Sequence, residues 1–155
     1  MSRKPAILFV CLGNICRSPL AEAAFRRAAE EAGLDVEVDS AGTGSWHVGD
    51  PPDHRAQQIA RGHGIDISGY RGRQISPEDY YRFTHIFALD AENLATIRQR
   101  EPADAKAEIG LLLDCVEGRC GEAVADPYYG GLDGFHTTWA DVTAAAEALV
   151  EKLRR

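Results

Sequence analysis

The sequence predicts an α/β fold in which a parallel sheet carries helices on both faces. Apolar runs of strand length alternate along the chain with segments of helical periodicity. The first run, 6–10, is apolar at every position, as expected of a strand that is covered on both sides. The length of 155 residues is that of one domain.

The first strand leads into the first helix. Residues 6–10 read Ala-Ile-Leu-Phe-Val and predict the strand. Ser18 is a good N-cap and Pro19 suits a first helical turn, so we expect the helix to begin there. Apolar residues at helical spacing continue it to Gly33, which ends it.

A second strand and a second helix follow. Val36 and Val38 alternate with acidic residues across 36–40, which indicates an edge strand with one solvated face. The loop 42–52, rich in glycine and proline, separates this strand from a helix predicted over 53–63.

The remaining elements repeat the alternation. Strands are predicted over 84–89 and 109–113, and helices over 91–100 and 135–153. The segment 121–134 is predicted to be a loop. Together the elements predict a single three-layer domain of the flavodoxin or Rossmann type over all 155 residues.

The loops that follow the strands are expected to converge. The carboxyl ends of parallel strands share one edge of the sheet, and ligands bind there. The loops 11–18, 41–52, 90–91 and 114–134 therefore form the predicted functional side.

Charge and hydropathy exclude several classes of function. The 17 basic and 24 acidic residues give a net charge of -7, which opposes binding to nucleic acid and anionic lipid. No apolar run approaches the roughly 18 residues of a membrane span. Residues 1–5, followed by the short run 6–10, do not resemble a secretory signal. We expect a cytoplasmic monomer without membrane insertion.

Residues 11–18 carry the candidate chemistry. They are Cys11, Leu12, Gly13, Asn14, Ile15, Cys16, Arg17 and Ser18. Gly13 and Asn14 tolerate left-handed backbone, which lets the loop curl and turn successive N–H groups inward as an anion nest. The helix N-terminus adds positive potential, and Arg17 can hold two oxygens of one oxyanion. The loop is predicted to bind a phosphate group with residues 12–18.

Cys11 begins this cradle, in a field that favours its thiolate. A thiolate that faces a bound phosphate predicts phosphoryl transfer through a cysteinyl-phosphate. We expect Ser18 to hydrogen-bond the sulfur and help it to leave in the second step. A Cys-x5-Arg pair also occurs by chance, and a cysteine after a strand is often a core residue. The buried strand before it and the helix start after it favour catalysis.

A general acid must protonate the leaving oxygen of a phosphate ester. Asp126, in Asp126-Pro127-Tyr128-Tyr129, is the candidate, because a rigid turn followed by two glycines can bend over a site. Tyr128 and Tyr129 could line a slot for an aromatic leaving group. Alternatively, Asp-Pro only opens a turn and the tyrosines only pack.

The residues 10–19 together with the motif 126–129 resemble the low-molecular-weight protein tyrosine phosphatases, and the resemblance covers essentially the whole chain. It implies a four-stranded parallel sheet and a two-step phosphatase that uses no metal or other cofactor. Cys11 would be the nucleophile, Arg17 the phosphate clamp and Asp126 the general acid. The substrate would be a phosphotyrosine-containing protein, and phosphate or other oxyanions would inhibit.

The resemblance also assigns supporting roles. Asn14 would hold the strained turn of the loop through a hydrogen bond to Ser40. Trp46 would join the two tyrosines as a wall of the substrate pocket, or else be a partly exposed packing residue. Cys16 would form a reversible disulfide with Cys11, which would protect the thiolate from irreversible oxidation.

One departure from the family pattern concerns a support pair. Many members have a histidine in the loop after the second helix, near an acid at the end of the third strand. The segment 68–73 has no histidine, although Asp90 is present. Tyr70 is the candidate replacement.

Three alternatives share part of the pattern. Arsenate reductases have the Cys-x5-Arg loop and relay a disulfide through further cysteines, for which Cys115 and Cys120 are available. Arginine phosphatases tend to have threonine where this chain has Ile15. A phosphotyrosine-binding module would need neither Cys11 nor Asp126. The five histidines show no metal-ligand spacing, so no metal site is expected.

Overall fold

The computed structural model describes residues 4–155 and contains one four-stranded parallel sheet. The strands are β1 (Ala6–Cys11), β2 (Glu37–Gly42), β3 (His85–Ala88) and β4 (Glu108–Leu111). Their order is β2-β1-β3-β4, and every neighbouring pair is parallel. The predicted α/β fold is confirmed, as is the position of the second strand at an edge.

Helices cover both faces of this sheet. They are α1 (Arg17–Glu31), α2 (His54–Gly62), α3 (Asp79–Arg82), α4 (Ala91–Arg100) and α5 (Leu132–Arg154), with a 3-10 turn at Leu112–Cys115. Ile7 and Phe9 of β1 pack into the core formed with α1, α2 and α5. Leu8 and Val10 face the opposite core, which α3 and α4 cover. This alternation explains why the first strand is apolar at every position.

Strand register places the end of β1 at the centre of the functional edge. Cys11 pairs with Gly42 across the sheet, and β1 lies between β2 and β3. A side chain at position 42 could not be accommodated, because its Cβ would lie 2.8 Å from the carbonyl oxygen of Leu12. The close approach of β2 thus supports the first turn of the loop after β1.

Some predicted boundaries are wrong. The first helix begins at Arg17, so Ser18 lies inside the first turn and is not the N-cap. Its hydroxyl binds the Cys11 sulfur instead. The fourth strand ends at Leu111 and continues as the 3-10 turn, and α5 begins at Leu132 inside the predicted loop. Helix α3 was not predicted.

No helix within 4–155 is long and apolar enough to cross a membrane. The described range excludes Met1–Arg3. These residues belong to the segment 1–5 that was compared with a secretory signal, and they are the first three residues of the predicted domain.

Candidate active site

The loop between β1 and α1 curls at Asn14. Asn14 has a φ of 58°, which asparagine tolerates better than most residues. Gly13 is not left-handed, contrary to the sequence prediction. What glycine provides there is space, since a Cβ would lie 3.1 Å from the ring of His47.

The buried side chain of Asn14 holds the turn from inside. Its Nδ2 donates to Ser18 Oγ at 2.8 Å and to Ser40 Oγ at 3.0 Å. Its Oδ1 accepts from the backbone N–H of Arg73 at 3.0 Å. The structure therefore contains the Asn14–Ser40 bond that the family resemblance implied, and a further anchor at Arg73.

The carbonyls of the loop point away from its centre. The carbonyl of Cys11 accepts from the N–H of Thr43 at 2.9 Å, and that of Leu12 from Gly44 at 2.9 Å. The carbonyl of Ile15 accepts from the N–H of Asp53 at 2.8 Å. In a trans peptide bond the N–H points opposite to the carbonyl, so the N–H groups of Leu12, Gly13 and Cys16 are turned toward the interior, as in an anion nest.

The sulfur of Cys11 lies at the base of the loop, 3.0 Å from Ser18 Oγ. Asn14 donates to that same hydroxyl oxygen, so the hydroxyl proton of Ser18 is free to point at the sulfur. The other acceptor near Ser18 is the carbonyl of Ala41, at the longer distance of 3.5 Å. The arrangement provides a hydrogen bond that stabilises a thiolate.

Arg17 is buried and held by charged and polar partners. Its Nη1 donates to Asp90 Oδ2 at 2.7 Å and to the carbonyl of Val124 at 3.0 Å. Burial alone would lower the pKa of the guanidinium, but Cys11, Asp90 and Asp126 outweigh burial and raise it. Since Nη1 makes both bonds, Nε and Nη2 form the edge that can bind two oxygens of an anion.

Asp126 lies beside this guanidinium. One carboxylate oxygen is 3.7 Å from Arg17 Nη2, and the other accepts from the N–H of Tyr128 at 3.0 Å. The side chain is 40% exposed, so it can exchange protons with solvent. Sequence separation between Cys11 and Asp126 is large, yet both line the same cleft.

This cleft has a volume of about 320 Å³ and combines a polar base with aromatic walls. Trp46 and Tyr129 are 71% and 93% exposed, and Tyr128 packs edge-on against Tyr129. Trp46 thus lies on the predicted wall.

The lining residues are Cys11, Leu12, Gly13, Ile15, Cys16, Arg17, Trp46, His47, Asp126, Tyr128 and Tyr129. His47, paired with Asp50 at 3.1 Å, was not predicted.

A buried polar network extends behind the loop. Ser40 Oγ donates to Glu22 Oε1 at 2.7 Å, and Arg26 binds the same carboxylate at 2.6 Å. Burial raises the pKa of Glu22, although these two hydrogen bonds oppose the shift. Sequence periodicity places Glu22 on the helix but gives no sign that it is buried.

Tyr70, the candidate replacement for the family histidine, and Asp90 have different partners. Tyr70 lies by Glu22 and Arg26, and burial followed by the charge of Glu22 raises its pKa. Asp90 instead caps α4 and binds Arg17. Position at the end of β3 was the signal that could have identified Asp90 as a partner of the phosphate clamp.

The remaining cysteines differ in their surroundings. Cys16 is buried in the phosphate loop, and burial, together with the nearby carboxylate of Asp53, strongly raises the pKa of its thiol. Cys115 is half-buried and Cys120 is exposed. Neither of these two lines the cleft, so the structure gives no support for the arsenate relay. No group of three potential metal ligands occurs in residues 4–155.

Comparison with known proteins gives consistent similarities. The family described as low molecular weight phosphotyrosine protein phosphatase matches residues 6–155. The low molecular weight phosphotyrosine protein phosphatase of Schizosaccharomyces pombe is 44% identical over 138 residues, which are 87% of this chain and 88% of that protein.

Two solved structures extend the comparison. The protein tyrosine phosphatase of Entamoeba histolytica superposes with a TM-score of 0.91 at 36% identity, covering 97% of each chain. The Drosophila arginine phosphatase superposes with a TM-score of 0.90 at 34% identity, covering 96% of this chain and 98% of that one.

Proposed function

The chain belongs to the low molecular weight phosphotyrosine protein phosphatase family, and on this premise we propose that it hydrolyses phosphotyrosine in proteins through a cysteinyl-phosphate on Cys11. The observation that carries the proposal is the convergence of Cys11, Arg17 and Asp126 on one cleft. A nucleophile, an anion clamp and a proton donor are the three functions that hydrolysis of an aryl phosphate requires.

The first step transfers the phosphoryl group to sulfur. The N–H groups of Leu12, Gly13 and Cys16, together with the free edge of Arg17, bind the phosphate oxygens. The Cys11 thiolate attacks phosphorus while the bond to the phenolic oxygen breaks. Asp126 donates its proton to that oxygen, so tyrosine leaves as a neutral phenol.

The second step returns the phosphoryl group to water. Asp126, now a carboxylate, accepts a proton from the attacking water, and the sulfur–phosphorus bond breaks. The sulfur leaves as a thiolate, and the Ser18 hydroxyl, 3.0 Å away, stabilises it by donating a hydrogen bond while keeping its proton. Inorganic phosphate is released and Asp126 is again protonated.

The walls of the cleft favour an aromatic ester. Trp46 and Tyr128 offer flat apolar surfaces on which a phenol ring can pack. Ile15 contributes an apolar side chain to the same cleft, and this side chain cannot accept a hydrogen bond from a guanidino group. The similarity to an arginine phosphatase makes phosphoarginine the alternative substrate to test.

The test compares three phosphopeptides of one sequence that contain phosphotyrosine, phosphoserine or phosphoarginine. Phosphate release is measured with EDTA present. We expect release from the phosphotyrosyl peptide at least tenfold faster than from the others, because only tyrosine fills the aromatic slot. Faster release from the phosphoarginine peptide would show that the substrate is phosphoarginine and not phosphotyrosine, while the cysteinyl-phosphate mechanism would still apply. Release from none of them would refute the proposed function.

Asp126→Ala tests the general acid. With phosphotyrosyl peptide, whose leaving group is a poor one, we expect kcat/KM to fall by about a hundredfold. With p-nitrophenyl phosphate the loss should be much smaller, because that phenolate leaves without protonation. Asp133→Ala, at the start of α5, is the control and should leave both rates unchanged. Equal losses on the two substrates would remove Asp126 from this role.

Cys16 is proposed to protect the nucleophile from over-oxidation. Peroxide converts the Cys11 thiolate to a sulfenic acid, and the Cys16 thiol then displaces water to form a disulfide. After peroxide and then dithiothreitol, wild type should regain most of its activity, whereas Cys16→Ser should regain much less. Activity before and after treatment, with mass spectrometry of Cys11, measures this. Full recovery of Cys16→Ser would disprove the protective role.

A further inference from the structure

Arg55 connects the segment that carries the general acid to the rest of the site. Its Nη1 donates to the carbonyl of Gly130 at 2.7 Å, and its Nη2 donates to the carbonyl of Tyr128 at 2.9 Å. The guanidinium carbon also lies 5.7 Å from the centre of the Tyr128 ring. These contacts attach Arg55 to the loop just after Asp126.

Apart from the buried Pro127 and the ion pair between Asp126 and Arg17, the acid loop has few other anchors. Its remaining hydrogen bonds in the described part of the chain lie within segment 125–130: Tyr128 N–H to Asp126 and Gly130 N–H to the carbonyl of Pro127. Tyr129 is almost fully exposed and adds no packing to the protein interior. The position of Asp126 therefore depends in part on what holds the residues that follow it.

Asp53 fixes the direction of the Arg55 guanidinium. Both carboxylate oxygens of Asp53 accept from Arg55, from Nε and Nη2, each at 3.0 Å. Burial would raise the pKa of Asp53, but the hydrogen bonds of Arg55 hold it below the ordinary value. The guanidinium also stacks 4.6 Å from the ring centre of Phe135 in α5. Arg55 is thus preorganised rather than a freely moving surface side chain.

Asp53 is in turn bound to the phosphate loop. Its N–H donates to the carbonyl of Ile15 at 2.8 Å, and its side chain caps α2. A continuous chain of contacts therefore runs from Ile15 through Asp53 and Arg55 to Tyr128, whose N–H binds Asp126. The phosphate loop and the acid loop are therefore both hydrogen-bonded to the same two residues at the start of α2.

We propose that Asp53 and Arg55 form a positioning pair that holds the carboxyl group of Asp126 in place for the leaving-group oxygen. This inference rests on the proposed function, since it assigns the pair an effect on the general-acid step. Arg55 does not touch the reacting atoms and acts through the backbone of Tyr128 and Gly130. A displacement of about 1 Å in a catalytic group can cost up to a hundredfold in rate.

The effect of Arg55 should therefore depend on the leaving group. Arg55→Ala should lower kcat/KM for phosphotyrosyl peptide about tenfold, and for p-nitrophenyl phosphate less than about threefold. Arg55→Lys can reach one of the two carbonyls and should recover part of the loss. Arg61→Ala, an exposed arginine at the other end of α2, is the matched control and should leave both rates unchanged.

A double-mutant cycle with Asp126→Ala decides between positioning and a general structural role. If Arg55 acts through Asp126, Arg55→Ala costs about tenfold in the wild-type background and almost nothing in the Asp126→Ala background. Equal costs in both backgrounds, or equal losses on both substrates, would overturn the inference. Thermal unfolding of each variant separates these outcomes from loss of the fold. If wild type shows no hydrolysis that depends on Cys11, the proposed function itself fails.

Discussion

Cys11→Ser is expected to lower kcat/KM for phosphotyrosyl peptide on the order of ten-thousandfold or more. The substitution changes one atom and keeps the side-chain volume nearly constant at a buried position. A serine hydroxyl in this loop remains protonated near neutral pH, because its ordinary acidity is far weaker than that of a thiol. The anion cradle stays intact, so binding of inorganic phosphate should survive while turnover is lost.

Cys120→Ser is the matched control, since it makes the same change at an exposed position outside the cleft. It should keep full activity. Turnover by Cys11→Ser within tenfold of wild type would show that another group is the nucleophile. Added EDTA should not alter the wild-type rate, because no step in the proposed chemistry uses a metal ion.

Arg17→Lys is expected to lower kcat/KM by about a thousandfold, although the positive charge is retained. Arginine uses Nη1 for Asp90 and the carbonyl of Val124 while another edge faces the phosphate. A lysine ammonium cannot make these bonds and also bind two phosphate oxygens. In the transition state it would provide a point charge without the planar, bidentate geometry.

Two measurements accompany this substitution. Binding of inorganic phosphate by calorimetry should weaken, and thermal unfolding should show that the variant is folded. Arg27→Lys makes the same change further along α1, outside the cleft, and should leave kcat/KM unchanged. A loss of less than about tenfold in Arg17→Lys would mean that the backbone nest alone holds the phosphate.

The sequence predicted the sheet and the convergence of its loops because these depend on local patterns. The all-apolar run 6–10 is a strand buried on both faces, and the alternation at Val38 marks a true edge strand. Loops after parallel strands must meet at one edge, so Cys11 and Asp126 lie in one cleft in spite of their separation along the chain.

Ser18 shows where local propensity fails. Its type and the proline after it favour an N-cap, but the N-cap of α1 is Cys16, two residues earlier. A tertiary contact then decides the role of the side chain, since the hydroxyl lies 3.0 Å from the sulfur of Cys11. Hydrogen bonds between distant residues have no signature in the spacing of either partner.

The same limit applies to Glu22, Tyr70 and Arg55. Each is a polar residue on or near a helix, which sequence patterns assign to the solvated face. The structure places Glu22 and Tyr70 in one buried network and extends Arg55 to the acid loop. Strand order and helix packing bring these partners together, and neither can be obtained from periodicity.

The cysteinyl-phosphate itself provides the most direct test of the proposed chemistry. Wild-type protein is mixed with excess phosphotyrosyl peptide, quenched with acid during turnover, digested and analysed by mass spectrometry with fragmentation. We expect one added phosphoryl group on Cys11 in wild type and in Cys16→Ser, and none in Cys11→Ala. A phosphoryl group on any other residue, or hydrolysis by wild type at full rate with no labelled Cys11, would contradict the covalent mechanism.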